Sequence, residues 1–408
     1  MRRVVITGIG AVSALGVGVP ALWEGLAAGR SGIRRVTVCD LDRLTDPIAA
    51  EVPSFDPAAY LSSDQLLILD RYAAFAMVAA EEAWSGSGVT LTEEERPRAG
   101  ALIGTGMGGV TRQDECYRDM YDRGVTRTHP FTIPRIMYNA AASHISMKYR
   151  LEGPTLCIST ACSSASHAIG EAAELVRSGR ADLMVAGGAD APIAPGVVKA
   201  WEGMRVLAPA GDNPATACRP FSADRQGLVL GEGAGIVILE ERERAMRRGA
   251  VIHAELSGYS ATADAAHITA PGVESPSRAI RQALAQAGLN PEQIQYINAH
   301  GTATRLNDST ETTIIKRVFG DYARKVAISS TKSMHGHMMG ASGAVELIAT
   351  LMAIERGIVP PTANYRKPDP ECDLDYVPNQ AREMKVDAAI SNSFAFGGLN
   401  AVLVVTRV

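Results

Sequence analysis

The sequence predicts an α/β protein built as two similar halves. Three observations carry this. Short β-branched runs ending in glycine alternate with Ala- and Leu-rich segments of helical period over 408 residues. The strand runs are continuously apolar rather than alternating, as strands covered on both faces are. No Pro/Ser-rich linker divides the chain, yet a weak internal parallel runs through it.

The strand pattern falls at residues 3–7, 101–104, 183–186 and 235–239, and helical periodicity at 22–28, 72–84, 165–178, 276–287 and 343–356. The solvated run Glu240-Glu241-Arg242-Glu243-Arg244 closes one strand before another opens near Ile252. This puts a seam near residue 250 and halves at 1–250 and 251–408. In the first half a strand leads through Cys157-Ile158-Ser159-Thr160-Ala161-Cys162-Ser163-Ser164-Ala165 into a helix of small residues. In the second, Val326-Ala327-Ile328-Ser329-Ser330-Thr331-Lys332 leads through Gly336-His337 into another.

Composition narrows the function classes. Hydrophobic residues make up 46% and charged residues 21%, which suits a compact globule and excludes a disordered or coiled-coil chain. Forty basic against 44 acidic side chains leave a net charge of -4, so no global basic field is offered to nucleic acid or to an anionic membrane. Six scattered cysteines without C-x-x-C spacing suggest a reducing compartment. The apolar run before Thr7-Gly8 spans three residues, too short for a signal-peptide core, and no stretch of about 20 apolar residues exists to cross a bilayer. A cytoplasmic protein is expected.

Cys162 stands where a strand gives way to a helix whose first turn lacks Asp and Glu. A thiol there meets unpaired N–H groups and the positive end of the helix dipole, so its thiolate should be favoured. Small neighbours leave room for an incoming acyl group. Cys157, within the strand, reads as an inert core thiol. Two histidines also sit in strand-to-helix loops: His300 in Asn298-Ala299-His300-Gly301-Thr302-Ala303-Thr304, and His337 in His335-Gly336-His337-Met338-Met339-Gly340. A thiolate with two imidazoles suits a zinc site, a hydrolase triad or a thioester-processing site. Zinc lacks a close third ligand beside His335-x-His337. A triad needs an orienting carboxylate, for which Asp308 or Glu311 is available. In the third option, two neutral imidazoles donate to a developing enolate, with no metal required. Gly104-Thr105-Gly106-Met107-Gly108-Gly109 matches the dinucleotide glycine pattern, but no strand ending in an acid follows about twenty residues on, so it is set aside.

Together these segments resemble a family. With Arg219-Pro220-Phe221, Asp224-Arg225, Gly231-Glu232-Gly233-Ala234 and Asn392-Ser393-Phe394-Ala395-Phe396-Gly397-Gly398-Leu399-Asn400, they resemble the elongating β-ketoacyl-acyl-carrier-protein synthases along essentially the whole chain. The resemblance implies a thiolase-like fold with two five-stranded mixed sheets in α-β-α-β-α layers. It implies Cys162 as the acyl-accepting nucleophile, His300 and His337 as the pair that holds the malonyl thioester oxygen, and Lys332 with Glu311 as organisers of the histidines. It further implies an oxyanion hole from the N–H groups of Cys162 and Phe396, with Phe396 as gate. Met107 would lie in the acyl pocket, and Thr269, Thr302 and Thr304 along the phosphopantetheine arm. No metal or redox cofactor is required, since substrates ride on the phosphopantetheine of acyl-carrier protein. The implied partners are that carrier and either a second copy or a chain-length-factor-like homologue. The pathway is fatty-acid or type II polyketide synthesis, and the alternative role is a noncatalytic chain-length subunit.

Departures from the family pattern carry expectations too. Asn307-Asp308 replaces the usual Gly-Asp, as in polyketide relatives. Ala395 replaces glycine beside the gate, where its Cβ should restrict the backbone, and Leu399 replaces threonine. The helix that commonly offers basic residues to the carrier reads Asp64-Gln65-Leu66-Leu67-Ile68-Leu69-Asp70-Arg71, either covered by its own fold or an apolar docking face. Arg127 and Arg205 remain candidate carrier contacts.

Overall fold

A computed structural model describes residues 2–39, 44–45, 47–52 and 55–408. The principal strands are β1 (Val4–Ser13), β2 (Ala99–Gly104), β3 (Thr155–Ile158), β4 (Leu183–Asp190) and β5 (Gly233–Glu241), then β6 (Ala254–Ala263), β7 (Tyr296–Asn298), β8 (Ala327–Ser329), β9 (Ala388–Ala395) and β10 (Leu399–Thr406). Five helices frame them: α1 (Arg71–Ser87), α2 (Ser164–Arg177), α3 (Glu274–Ala287), α4 (Arg305–Phe319) and α5 (Ser342–Arg356).

The strands run in the spatial order β3-β2-β4-β5-β1 and then β6-β10-β9-β7-β8. Adding five to each label of the first set reproduces the second in mirror order. The pairing directions repeat as well: β2–β3 and β2–β4 are parallel, β4–β5 and β5–β1 antiparallel, and β7–β8, β7–β9, β9–β10 and β10–β6 follow suit. The two sheets implied by the resemblance are hydrogen-bonded into one ladder. They join at only two registered pairs, Val5↔Glu255 and Ile6↔Ala254, and Gly16–Val17 adds a short strand to β1.

Sequence explains the elements. β1 is buried at all ten positions because helices cover both of its faces. α1 starts at Arg71 because the Asp70 carboxylate caps the Tyr72 N–H at 3.0 Å, and stops where Gly88 turns left-handed at φ 63°. α2 and α5 form the middle layer. Ala165, Ala168, Ala172 and Val176 of α2 and Ala344, Leu347, Ile348 and Leu351 of α5 share one core with Ile6, Val237, Leu403 and Val405. α1 packs on the outer face of the first sheet, and α3 and α4 on that of the second, giving the five layers.

Small residues let the layers approach. A Cβ on Gly104, at the end of β2, would stand 2.4 Å from the backbone carbonyl carbon of Ser164 in the first turn of α2. Backbone cannot yield there as a side chain can. Gly104→Ala should therefore destabilise the protein by about 1–3 kcal/mol; an unchanged urea midpoint would contradict this packing.

Candidate active site

Every residue of the site lies just beyond the carboxyl end of a strand, where ligands of α/β sheets bind. Cys162 follows β3 and enters α2; His337 follows β8 and enters α5; His300 follows β7; Phe396 follows β9. Since β8 is the counterpart of β3, Cys162 and His337 occupy equivalent loops of the two halves. Ala161, Ala303 and Met339, beside these residues, hold left-handed φ of 53°, 66° and 48°. Such strain in residues other than glycine persists where the surroundings fix it, commonly at functional sites.

Although 175 positions separate the first from the last of them, Cys162, His300 and His337 converge. One donor atom from each lies within 4.8 Å of the others, and all three side chains are buried. The imidazole planes stand at 87° with centroids 5.6 Å apart. A cavity of about 260 Å³ opens onto the three, and Phe396, Thr269, Thr302 and Thr304 line it. Met107 is placed differently: it packs in an apolar cluster with Cys162, Val198, Leu230 and Phe396 and does not line this cavity.

Hydrogen bonds fix the tautomers. His337 Nδ1 accepts the Met339 N–H at 3.1 Å, and Lys332 Nζ stands 3.4 Å from His300 Nδ1. A nitrogen that accepts carries no proton, so each neutral ring bears its proton on Nε2. Burial, reinforced by the Lys332 charge, holds both rings well below the ordinary histidine pKa, so both stay neutral. These contacts are the reverse of those at a zinc site, where the nitrogen away from the metal donates to a carboxylate or carbonyl.

Lys332 is itself paired with Glu346 of α5, both wholly buried. Lys332 and Glu311, expected to organise the histidines, reach the His300 loop by separate routes. Glu311 instead accepts the backbone N–H groups of His300 (2.9 Å) and Gly301 (2.8 Å) and so sets the loop rather than the lysine. The hydrolase alternative falls as well. Asp308 accepts the Phe221 N–H at 2.8 Å and faces Arg225, and among the described residues neither imidazole has a carboxylate on its Nδ1. The sequence did carry a signal for Glu346: it is a lone charge in the apolar run of α5.

The expected low thiol pKa of Cys162 is also corrected. The Lys332 charge and the N–H groups of Phe396 and Cys162, which point at the sulfur, favour the thiolate, but burial outweighs them and pushes the thiol up to about 11. The same two N–H groups are placed for an oxyanion. The Phe396 loop is held by the Gly397 N–H on the Ile268 carbonyl (2.7 Å) and by Phe396 stacking on Trp201. Ala395 has φ -94° and ψ 159°, an extended conformation open to any residue, so its Cβ causes no strain in this state.

Around residue 67 the helix Ser63–Ile68 turns Leu66 partly inward and leaves Leu67 half exposed. Arg71 is tied to Glu232. Arg205 is exposed next to Met204 at the cavity mouth, whereas Arg127 is exposed in a separate depression.

Comparison with known proteins finds relatives along the whole chain. The model of the β-ketoacyl synthase N-terminal domain matches residues 1–245, and that of the C-terminal domain residues 253–366. Nodulation protein E of Rhizobium meliloti (strain 1021) is 50% identical over 100% of both chains. The 3-oxoacyl-[acyl-carrier-protein] synthase 2 of Coxiella burnetii is 44% identical over 100% of this chain and 99% of its own. The solved ishigamide ketosynthase/chain length factor superposes with TM-score 0.93 at 38% identity, covering 100% and 99%. With both domain models matched in order and relatives aligned end to end, the chain belongs to the β-ketoacyl synthase family.

Proposed function

We propose that the chain is a 3-oxoacyl-[acyl-carrier-protein] synthase that performs a decarboxylative Claisen condensation, with Cys162, His300 and His337 as its catalytic residues. The observation that carries the assignment of residues is one buried cavity shared by a thiol and two Nε2–H donors. Cys162 sulfur attacks the donor thioester carbonyl, whose oxyanion is received by the N–H groups of Cys162 and Phe396. The carrier's phosphopantetheine thiol departs with the proton, leaving the acyl chain on sulfur. Malonyl thioester then loses CO₂ while its oxygen, turning into an enolate, accepts from both imidazoles. The enolate carbon attacks the acyl-cysteine, Cys162 sulfur leaves, and a 3-oxoacyl thioester results. These steps consume no metal or redox cofactor. Lys332 and Glu311 position the histidines, and Met107 and its apolar neighbours receive the chain.

Residues 1–250 and 251–408 act as the two halves of the fold, one supplying the nucleophile and the other the donors. The complete triad assigns this chain to catalysis rather than to noncatalytic chain-length control. Its substrates arrive on acyl-carrier protein at the mouth beside Thr269, Thr304 and Arg205. Among the described residues no helix is long and apolar enough to cross a membrane. The buried Cys162, Cys218 and Cys372 form no disulfide, which suits a reducing cytoplasm. The outer strand β3 leaves Leu156 56% exposed, with Met147 and Tyr138 also open nearby in the chain, an edge suited to a second copy or a chain-length-factor-like homologue.

Cys162→Ala should abolish the acyl adduct in intact-mass spectra, whereas His300→Ala should keep it and slow CO₂ release by about 10²–10³; an adduct on the first variant, or unchanged CO₂ release by the second, contradicts the assigned roles. Because burial raises the Cys162 pKa to about 11, peptide-mapped alkylation of that thiol by iodoacetamide should climb about tenfold per pH unit from 7 to 9, and a plateau below pH 8 would show a depressed pKa instead. Leu156→Lys should shift the assembly toward monomer in sedimentation velocity, and an unaltered dimer would move the interface elsewhere.

A further inference from the structure

One carboxylate bonds two loops that border the site. Asp190 ends β4, wholly buried, and no Lys or Arg pairs with it among the described residues. Its Oδ1 accepts Thr105 Oγ1 at 2.7 Å and the Met107 N–H at 3.0 Å. Its Oδ2 accepts the Gly106 N–H at 2.8 Å and the Gly340 N–H at 2.6 Å. Burial lifts its pKa to about 6 against the pull of these four donors.

Three of the donors come from the loop after β2, where Met107 packs beside Cys162. The fourth comes from the loop after β8. There Met339, at φ 48°, stands between Gly340, held by Asp190, and His337, whose Nδ1 takes the Met339 N–H. Ser342 Oγ also reaches that nitrogen, at 3.1 Å. A hydroxyl can donate or accept, so Ser342 by itself permits either tautomer. The Met339 N–H permits one. The two loops are tightly apposed as well: a Cβ on Gly340 would lie 2.4 Å from the Gly106 nitrogen.

We propose that Asp190 is a positioning residue that couples the Met107 loop, packed with Cys162, to the His337 loop. One oxygen anchors Gly340, keeping Met339 in the conformation that fixes His337 as the Nε2–H tautomer. The other anchors Met107, so a chain seated against Met107 and the setting of His337 act on a common group. The coupling rests on the ketosynthase reading for the identity of that chain; the control of the tautomer does not.

The test uses full-length protein labelled with ¹⁵N-histidine, with the His337 resonances assigned by their loss in His337→Gln. Long-range ¹H–¹⁵N correlations then report which ring nitrogen bears the proton. Wild type should show His337 as the Nε2–H form. In Asp190→Asn, whose amide replaces an acceptor with a donor facing N–H groups, the Nδ1–H form should become populated. Condensation should fall by about tenfold or more, a larger loss than that of Cys162 acylation. A merely structural role would lower the melting temperature and leave the tautomer as it was. Should Asp190→Asn not fold, Thr105→Val removes one donor at nearly constant volume and should shift the same signals less. Unchanged His337 spectra in a folded variant overturn the proposal. Wild-type protein that takes no acyl chain on Cys162 would sink the ketosynthase reading instead, with the ring spectra still deciding the control of His337.

Discussion

The close contact of α2 with α5 in the middle layer is the constraint on which the site depends. Each helix begins at a loop of the site, so their separation sets the distance between Cys162 and His337. That separation is small because the facing residues are small. A Cβ on Gly343 would lie 2.0 Å from Ser166 Oγ, and Ser166 is in turn bonded to Ser393 of β9 at 2.8 Å. Bulkier side chains would push the helices apart and open the cavity. The hydrogen-bonded seam between the sheets, two residue pairs wide, is too narrow to impose that alignment.

The electrostatics follow from the same burial. A water-excluded pocket keeps both imidazoles neutral, and neutral imidazoles with Nδ1 occupied by donors can only present Nε2–H to a ligand. The Lys332 ammonium, neutralised by Glu346, supplies one of those donors and lowers the histidine pKa values. The cost is borne by the thiol, whose ionisation is disfavoured by the desolvation that makes the donors strong.

Much of this was legible in the sequence because it rests on local pattern. Continuous apolar runs marked the covered strands, and glycine, histidine and small residues after strands marked the catalytic loops. Helix limits slipped by a few residues: periodicity over 72–84 could not see that Asp70 caps the start and Gly88 the end of α1. What lay hidden depends on three-dimensional neighbours. The helix start at Cys162 was visible, but the burial that overrides it was not. The position of Lys332 is legible, yet its ion-pair partner depends on where α5 packs, which brings Glu346 against it. Asp190 was invisible as a junction because its four donors come from two loops far apart in the chain.

The matching strand orders bear on how such a centre could arise. A single half that self-associated about a two-fold axis would present the same side chain twice at the junction, once from each copy of the strand-to-helix loop. Joining the copies in one polypeptide removes that identity. The loop after β3 can then keep a sulfur while its twin after β8 keeps a nitrogen, and a division of labour forbidden to a symmetric pair becomes heritable.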